Sequence, residues 1–190
     1  MENNIKKISL SDSKDLIYKS NTLARSKYDI TLIQARFIAF LSSFVDKDDE
    51  DFFTYQIQIK PVLDFLEIDR TNLKYLSNTL KQLQTTLICL QDDDEAEAYT
   101  TFLSFFKLDK KNELLEFRFD SSLKKHYVQL KNNFTTLEIA NYKKFESVFT
   151  IKIYEFIKSN FQLYKKYENS LFREFIIDTD EFRNKIASKL

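Results

Sequence analysis

Residues 134–161 read FTTLEIANYKKFESVFTIKIYEFIKSNF, and their pattern predicts two consecutive helices with a marked start. Thr135 and Glu138 stand three apart, as a capping box requires, with Phe134 and Ile139 placed to close over the first turn as a hydrophobic staple. Further along, Phe145, Phe149, Ile153 and Phe156, joined by Val148 and Ile157, recur at three and four residues, while Lys144, Lys152, Glu155 and Lys158 fall off that stripe. A helix with such a stripe is expected to bury it against a core.

An upstream stretch carries the same kind of signal. Residues 21–43 read NTLARSKYDITLIQARFIAFLSS, in which Asn21-Thr22-Leu23 opens a short helix through Tyr28. Thr31 and Gln34 then offer a capping box ahead of Ile33, Phe37, Phe40 and Phe44 at helical spacing. The run FTIKIYEF (149–156), with Asn133-Phe134-Thr135 before it, and the opening NTLARSKYDITLIQARF together resemble the plasmid replication initiators often called the Rep_3 family. The resemblance runs over residues 21–190, with specific words at both ends and generic pattern between.

Composition narrows the chemistry. The chain has 190 residues, 43% hydrophobic and 15% aromatic, which is ample material for a core. Glycine is absent altogether, so no Walker loop, dinucleotide fingerprint or nucleophile elbow can be written. Cys89 and His126 are the only residues of their kinds, which leaves no thiolate or imidazole cluster for a metal and no disulfide. A two-histidine nickase motif is excluded for the same reason, and His126 is expected on the surface or in a loop. No catalytic residue, metal site or cofactor is expected, and a reducing cytoplasm fits the lone cysteine. No apolar run is long enough to predict a membrane span. Lys plus Arg and Asp plus Glu balance at 29 each, yet from Ser121 to Phe175 there are ten bases against five acids. That segment is the basic one.

Between the two stretches the pattern changes. Residues 1–20 form a polar lead-in whose scattered Ile8, Leu10, Leu16 and Ile17 suffice for a short strand or a frayed start, but not for an independent unit. After the acidic loop 46–51, FTYQIQI (53–59) alternates with period two and predicts a half-buried strand. Pro61 suits the first position of a short helix to Leu66, and Asp69 is placed to cap the next helix, whose Leu73, Leu76, Leu80, Leu83 and Leu87 form one seam. Lys74, Asn78 and Lys81 lie on another face, and short helix, turn, longer helix is a helix-turn-helix arrangement. The runs LICLQ (87–91), YTTFLSFFKL (99–108) and ELLEFRF (113–119) predict a three-stranded meander as the wing, with the acidic DDDEAE (92–97) at its tip. Such a tip repels phosphate.

The expectation is an α+β chain: a winged helix over residues 21–130, followed by an incomplete second winged helix over 131–190. In the latter, residues 159–172 would continue the helical part, FREFII (172–177) would be a strand, and Asp178 with Glu181 would cap a final helix to Leu190. The resemblance implies non-covalent binding to double-stranded DNA at origin repeats, with the first winged helix pairing two subunits and host replication proteins as further partners. The candidate DNA contacts are Lys74, Asn78 and Lys81 in the first unit and Lys143, Lys144 and Lys152 in the second. The alternative is an interaction module that pairs with a full-length initiator without reading DNA.

Overall fold

The computed structural model describes residues 5–92 and 94–161. In chain order the elements are β1 (Ile5–Lys7), β2 (Leu16–Ser20), α1 (Asn21–Ala24), α2 (Leu32–Ser42), β3 (Thr54–Gln58), α3 (Ile59–Leu66), α4 (Leu73–Thr85), β4 (Ile88–Asp92), β5 (Glu97–Thr100), β6 (Leu103–Asp109), β7 (Leu114–Phe119), α5 (Lys124–Tyr127), β8 (Phe134–Glu138), α6 (Ile139–Lys144) and α7 (Val148–Phe161). Expected segments from residue 162 onward, including FREFII and the final helix, lie outside the described residues.

Alternation builds the main sheet. In β3, Tyr55 and Ile57 are buried between less buried Thr54, Gln56 and Gln58, and the strand pairs antiparallel with β7 and parallel with β1. Strand β6 completes the order β1-β3-β7-β6. Tyr55 stacks on Phe117 at 5.2 Å between centroids, as a cross-strand aromatic pair does.

The helices lie where the apolar spacing directs. At the start of α2 the Thr31–Gln34 capping box forms: Gln34 N–H donates to Thr31 Oγ1 at 3.3 Å and Thr31 N–H to Gln34 Oε1 at 2.7 Å. Phe37, Phe40 and Leu41 of α2 are completely buried. Pro61 sits at the third position of α3, still within the turn whose N–H groups lack intrahelical partners. Glu67 ends α3 in the left-handed region, φ 58°, a position glycine would ordinarily hold and this glycine-free chain fills with glutamate. The cap of α4 is Asn72, whose side chain accepts from Tyr75 N–H; Asp69 instead accepts from Thr71 within the turn.

Three expectations are corrected. The stretch FTTLE is strand β8, paired antiparallel with β2 so that Thr135 faces Lys19 and Leu137 faces Ile17. Its burial alternates, with Thr135 and Leu137 inside, and the helix begins only at Ile139. The Thr135–Glu138 spacing therefore marks no cap. Residues 16–20 of the lead-in are the strand β2 of this pair, the short strand that Leu16 and Ile17 allow. The packing also does not divide near residue 130: Ile17, Leu23 and Phe37 share one core cluster with Leu137, Tyr142 and Ile151.

The wing is the third correction. YTTFLSFFKL is broken after Thr100 into β5 and β6; β5 forms a separate hairpin with β4, while β6 pairs with β7. Strands β3, β6 and β7 are thus the winged-helix sheet around α2, α3 and α4, and the wing is the β6–β7 hairpin. Asp92 and Glu97, which bound the acidic segment, pair with each other in the other hairpin. Leu87, expected in the α4 seam, lies past the helix end and is 59% exposed.

Candidate nucleic-acid interface

Helix α4 presents two unlike faces. Leu76, Leu80 and Leu83 are fully buried at helical spacing, and Thr79 joins them with its hydroxyl donating to the Tyr75 carbonyl at 3.0 Å. Lys74, Asn78 and Lys81 are all exposed on the other side, so the structure brings these three expected residues together as one ridge. Tyr75 flanks the ridge and is 43% exposed. Gln34 of α2 donates its amide to Gln82 Oε1 at 2.8 Å, which fixes the helix's rotation against the body.

Beside this helix runs β6, and the hairpin it makes with β7 turns through Lys110–Glu113. The turn is held by Asp109, whose carboxylate accepts from Asn112 Nδ2 at 2.8 Å and from the backbone N–H groups of Asn112 at 3.0 Å and Lys111 at 3.1 Å. These hydrogen bonds hold the Asp109 carboxyl below the usual aspartate range. Lys110 and Lys111 stand exposed at the tip, and Arg118 is exposed on β7. The wing tip is therefore basic. Sequence reading missed Lys110 and Lys111 because it assigned the wing to the preceding hairpin, although DKKN between two alternating strands was the available signal.

The other expected contacts are placed differently. Lys143 and Lys144 are exposed in the last turn of α6, where a cation meets the negative end of the helix dipole. Lys143 lies 5.4 Å from the centre of the Phe65 ring in α3. Arg36 ties this corner down by donating to the carbonyls of Tyr142, Lys143 and Phe145. Lys152 is the correction: its ammonium donates to the Tyr28 carbonyl at 2.5 Å and stands 4.6 Å from the Tyr28 ring centre. Burial lowers its pKa. It faces the protein body and is poorly placed for phosphate.

Lys152 borders a buried polar cluster that holds α7. Glu155 is 2% exposed and pairs with Lys19 of β2 at 2.8 Å, while the Tyr142 hydroxyl donates to it at 2.5 Å and the Tyr28 hydroxyl at 3.4 Å. Burial by itself would depress the Lys19 pKa, but the adjacent carboxylate outweighs it and the net shift is upward. Arg25 completes the anchorage by donating to Ser159 Oγ and the Ser159 carbonyl. Consequently the buried side of α7 carries Ile151, Glu155 and Ser159 together with Phe156 of the expected stripe, whereas Phe149 and Ile157 of that stripe are exposed.

His126, expected at the surface, is buried. Its Nδ1 lies 2.7 Å from Ser20 Oγ, and burial, assisted by Lys125, lowers its pKa to about 4. A neutral, packed ring is a structural element here. Among the described residues no three His, Cys, Asp or Glu side chains gather in a way that would hold a metal ion, and no helix is long and apolar enough to cross a membrane.

Comparison with known proteins gives the family and the fold. Residues 16–158 match the family described as Initiator Replication protein, WH1. Among solved structures, the crystal structure of Pi initiator protein in complex with iteron DNA is similar at 20% identity with a TM-score of 0.65, covering 92% of this chain and 73% of that one. No curated protein matches the sequence.

Proposed function

We propose that this chain, which belongs to the Initiator Replication protein family through its WH1 part, binds double-stranded origin DNA without covalent chemistry, placing α4 in the major groove and the β6–β7 wing on the flanking backbone. The observation that carries the reading is the pairing of an α4 ridge, Lys74, Asn78 and Lys81, with a wing tip bearing Lys110 and Lys111. A recognition helix locked to the body beside a basic hairpin is the arrangement that winged helices use to seat on a duplex. The similar Pi initiator is seen bound to iteron DNA, and repeated origin sites are the ligand proposed here. Lys143 and Lys144 are assigned to longer-range attraction of the backbone. The protein acts as a binder and not as an enzyme, in the cytoplasm, with host replication proteins as later partners.

Fluorescence anisotropy against duplex DNA over a range of salt tests this reading. Four phosphate contacts give log affinity falling against log salt with a slope of about −3 to −4. Reversing Lys74, Lys81, Lys110 and Lys111 to Glu is expected to abolish binding, and reversing Lys143 and Lys144 to weaken it less. Binding unaffected by the fourfold reversal would refute the placement.

A second reading, self-association, rests on one edge. Within the described residues β6 hydrogen-bonds to β7 along one side, and Phe105 on it is exposed. Such an edge is a template for a second copy. Sedimentation at micromolar concentration is expected to show a dimer that Phe105→Lys weakens; a monomer throughout would remove this reading and leave DNA binding in place.

A further inference from the structure

We propose that α4 reads an A·T base pair through Asn78, with the Tyr75 ring against a thymine methyl group, an inference that rests on the DNA-binding reading above. Side chains leave a helix about every 100°, so Lys74, Asn78, Lys81 and Thr85 form the line opposite buried Leu76, Leu80 and Leu83. Several other polar groups of α4 and its cap are committed. Gln82 holds Gln34 of α2, Asn72 caps the helix, and the Thr85 hydroxyl turns back to the carbonyls of Lys81 and Gln82. The side-chain amide of Asn78 is exposed on the ridge and hydrogen-bonds to no described residue, so it keeps both a donor and an acceptor for a ligand.

That pair of groups selects among bases. In the major groove adenine shows a donor beside an acceptor, N6–H and N7, which an asparagine amide satisfies with two hydrogen bonds, whereas guanine shows two acceptors and is read by Arg or Lys. No arginine occurs in residues 73–85. Lys74 and Lys81 are compact, flexible point charges suited to phosphate, although a lysine also reaches guanine. Tyr75 lies three residues before Asn78, hence on the neighbouring part of the same face, with its ring partly in solvent. The C5-methyl group of thymine is the apolar feature that groove offers to such a ring.

Selection of random duplexes by the full chain, followed by affinity measurements on the selected sequence, tests the proposal. The selected site is expected to contain an A·T pair whose replacement by G·C weakens wild-type binding roughly tenfold. In Asn78→Ala that ratio is expected to collapse towards one, and 7-deazaadenine at that pair, which lacks the N7 acceptor, is expected to reproduce the loss in the wild type and add nothing in the variant. Alanine at an exposed helical position favours the helix, so misfolding does not mimic the result. Tyr75→Ala is expected to reduce discrimination between thymine and uracil, which lacks the methyl group. A·T preference that survives Asn78→Ala, a G·C pair at the Asn78-dependent position, or retention of duplexes without any preference overturns the inference while DNA binding stands. A chain that retains no duplex overturns both.

Discussion

In α4 the leucines at 76, 80 and 83 are buried and the lysines at 74 and 81 face solvent, whereas in α7 Glu155 and Ser159 are buried while Phe149 and Ile157 stand exposed. Both helices show apolar residues at three and four spacing, so the difference comes from what each is packed against. Helix α4 meets an apolar surface, and its hydrophobic side settles there. Helix α7 meets Lys19, Tyr28, Tyr142 and Arg25, whose buried polar groups must be satisfied, and it presents the side that satisfies them. A cation that the fold needs is turned inward; a cation free to meet a partner is left on the ridge.

The largest expected effect breaks the α7 side of that contrast. Glu155→Ala leaves Lys19 buried without its partner and is expected to cost about 3–5 kcal/mol in urea unfolding. Replacing both, Lys19→Met with Glu155→Leu, should restore only part of this, because the Tyr142 and Tyr28 hydroxyls still lose their acceptor. A single-variant cost below about 1 kcal/mol would show that the cluster does not anchor the helix.

A middle-sized effect sharpens the point with pH. The folded His126 takes up its proton near pH 4 and the unfolded ring near 6.5, so between these values the unfolded state binds more protons. Its contribution is complete above pH 6.5 and is lost as pH falls towards 4, by up to about 3 kcal/mol. The difference in unfolding free energy between wild type and His126→Gln should narrow over that window; a constant difference would mean the ring titrates normally.

The smallest effect is on the exposed part of α7. Phe149→Ser is expected to cost only about 1 kcal/mol, because a 47% exposed ring has about half its surface left to lose. Destabilisation of about 3 kcal/mol, as for a core phenylalanine, would restore the stripe read from spacing alone.

Local signals were legible wherever the chain's own neighbours decide the structure. The Thr31–Gln34 box, the alternation of β3 and the sequence of α3, turn and α4 all formed, as did the ridge of Lys74, Asn78 and Lys81. Long-range pairing was not legible. FTTLE supports either a capped helix start or a strand, and only the distant residues 16–20 choose the strand. The wing's identity likewise depends on β7 pairing with β3 as well as with β6, which LICLQ and YTTFLSFFKL do not reveal on their own. Lys152 was misread for a related reason: nothing local to α7 announces that Tyr28 waits beside it.

Residue-by-residue labelling of lysine amines, in the free chain and with a saturating duplex that the chain retains, tests the central contrast directly. Lys74, Lys81, Lys110 and Lys111 are expected to react in the free chain and to be protected by the duplex, while Lys19 stays silent in both states. Full reactivity of those four lysines with DNA bound, or ready labelling of Lys19 in the folded chain, would contradict it.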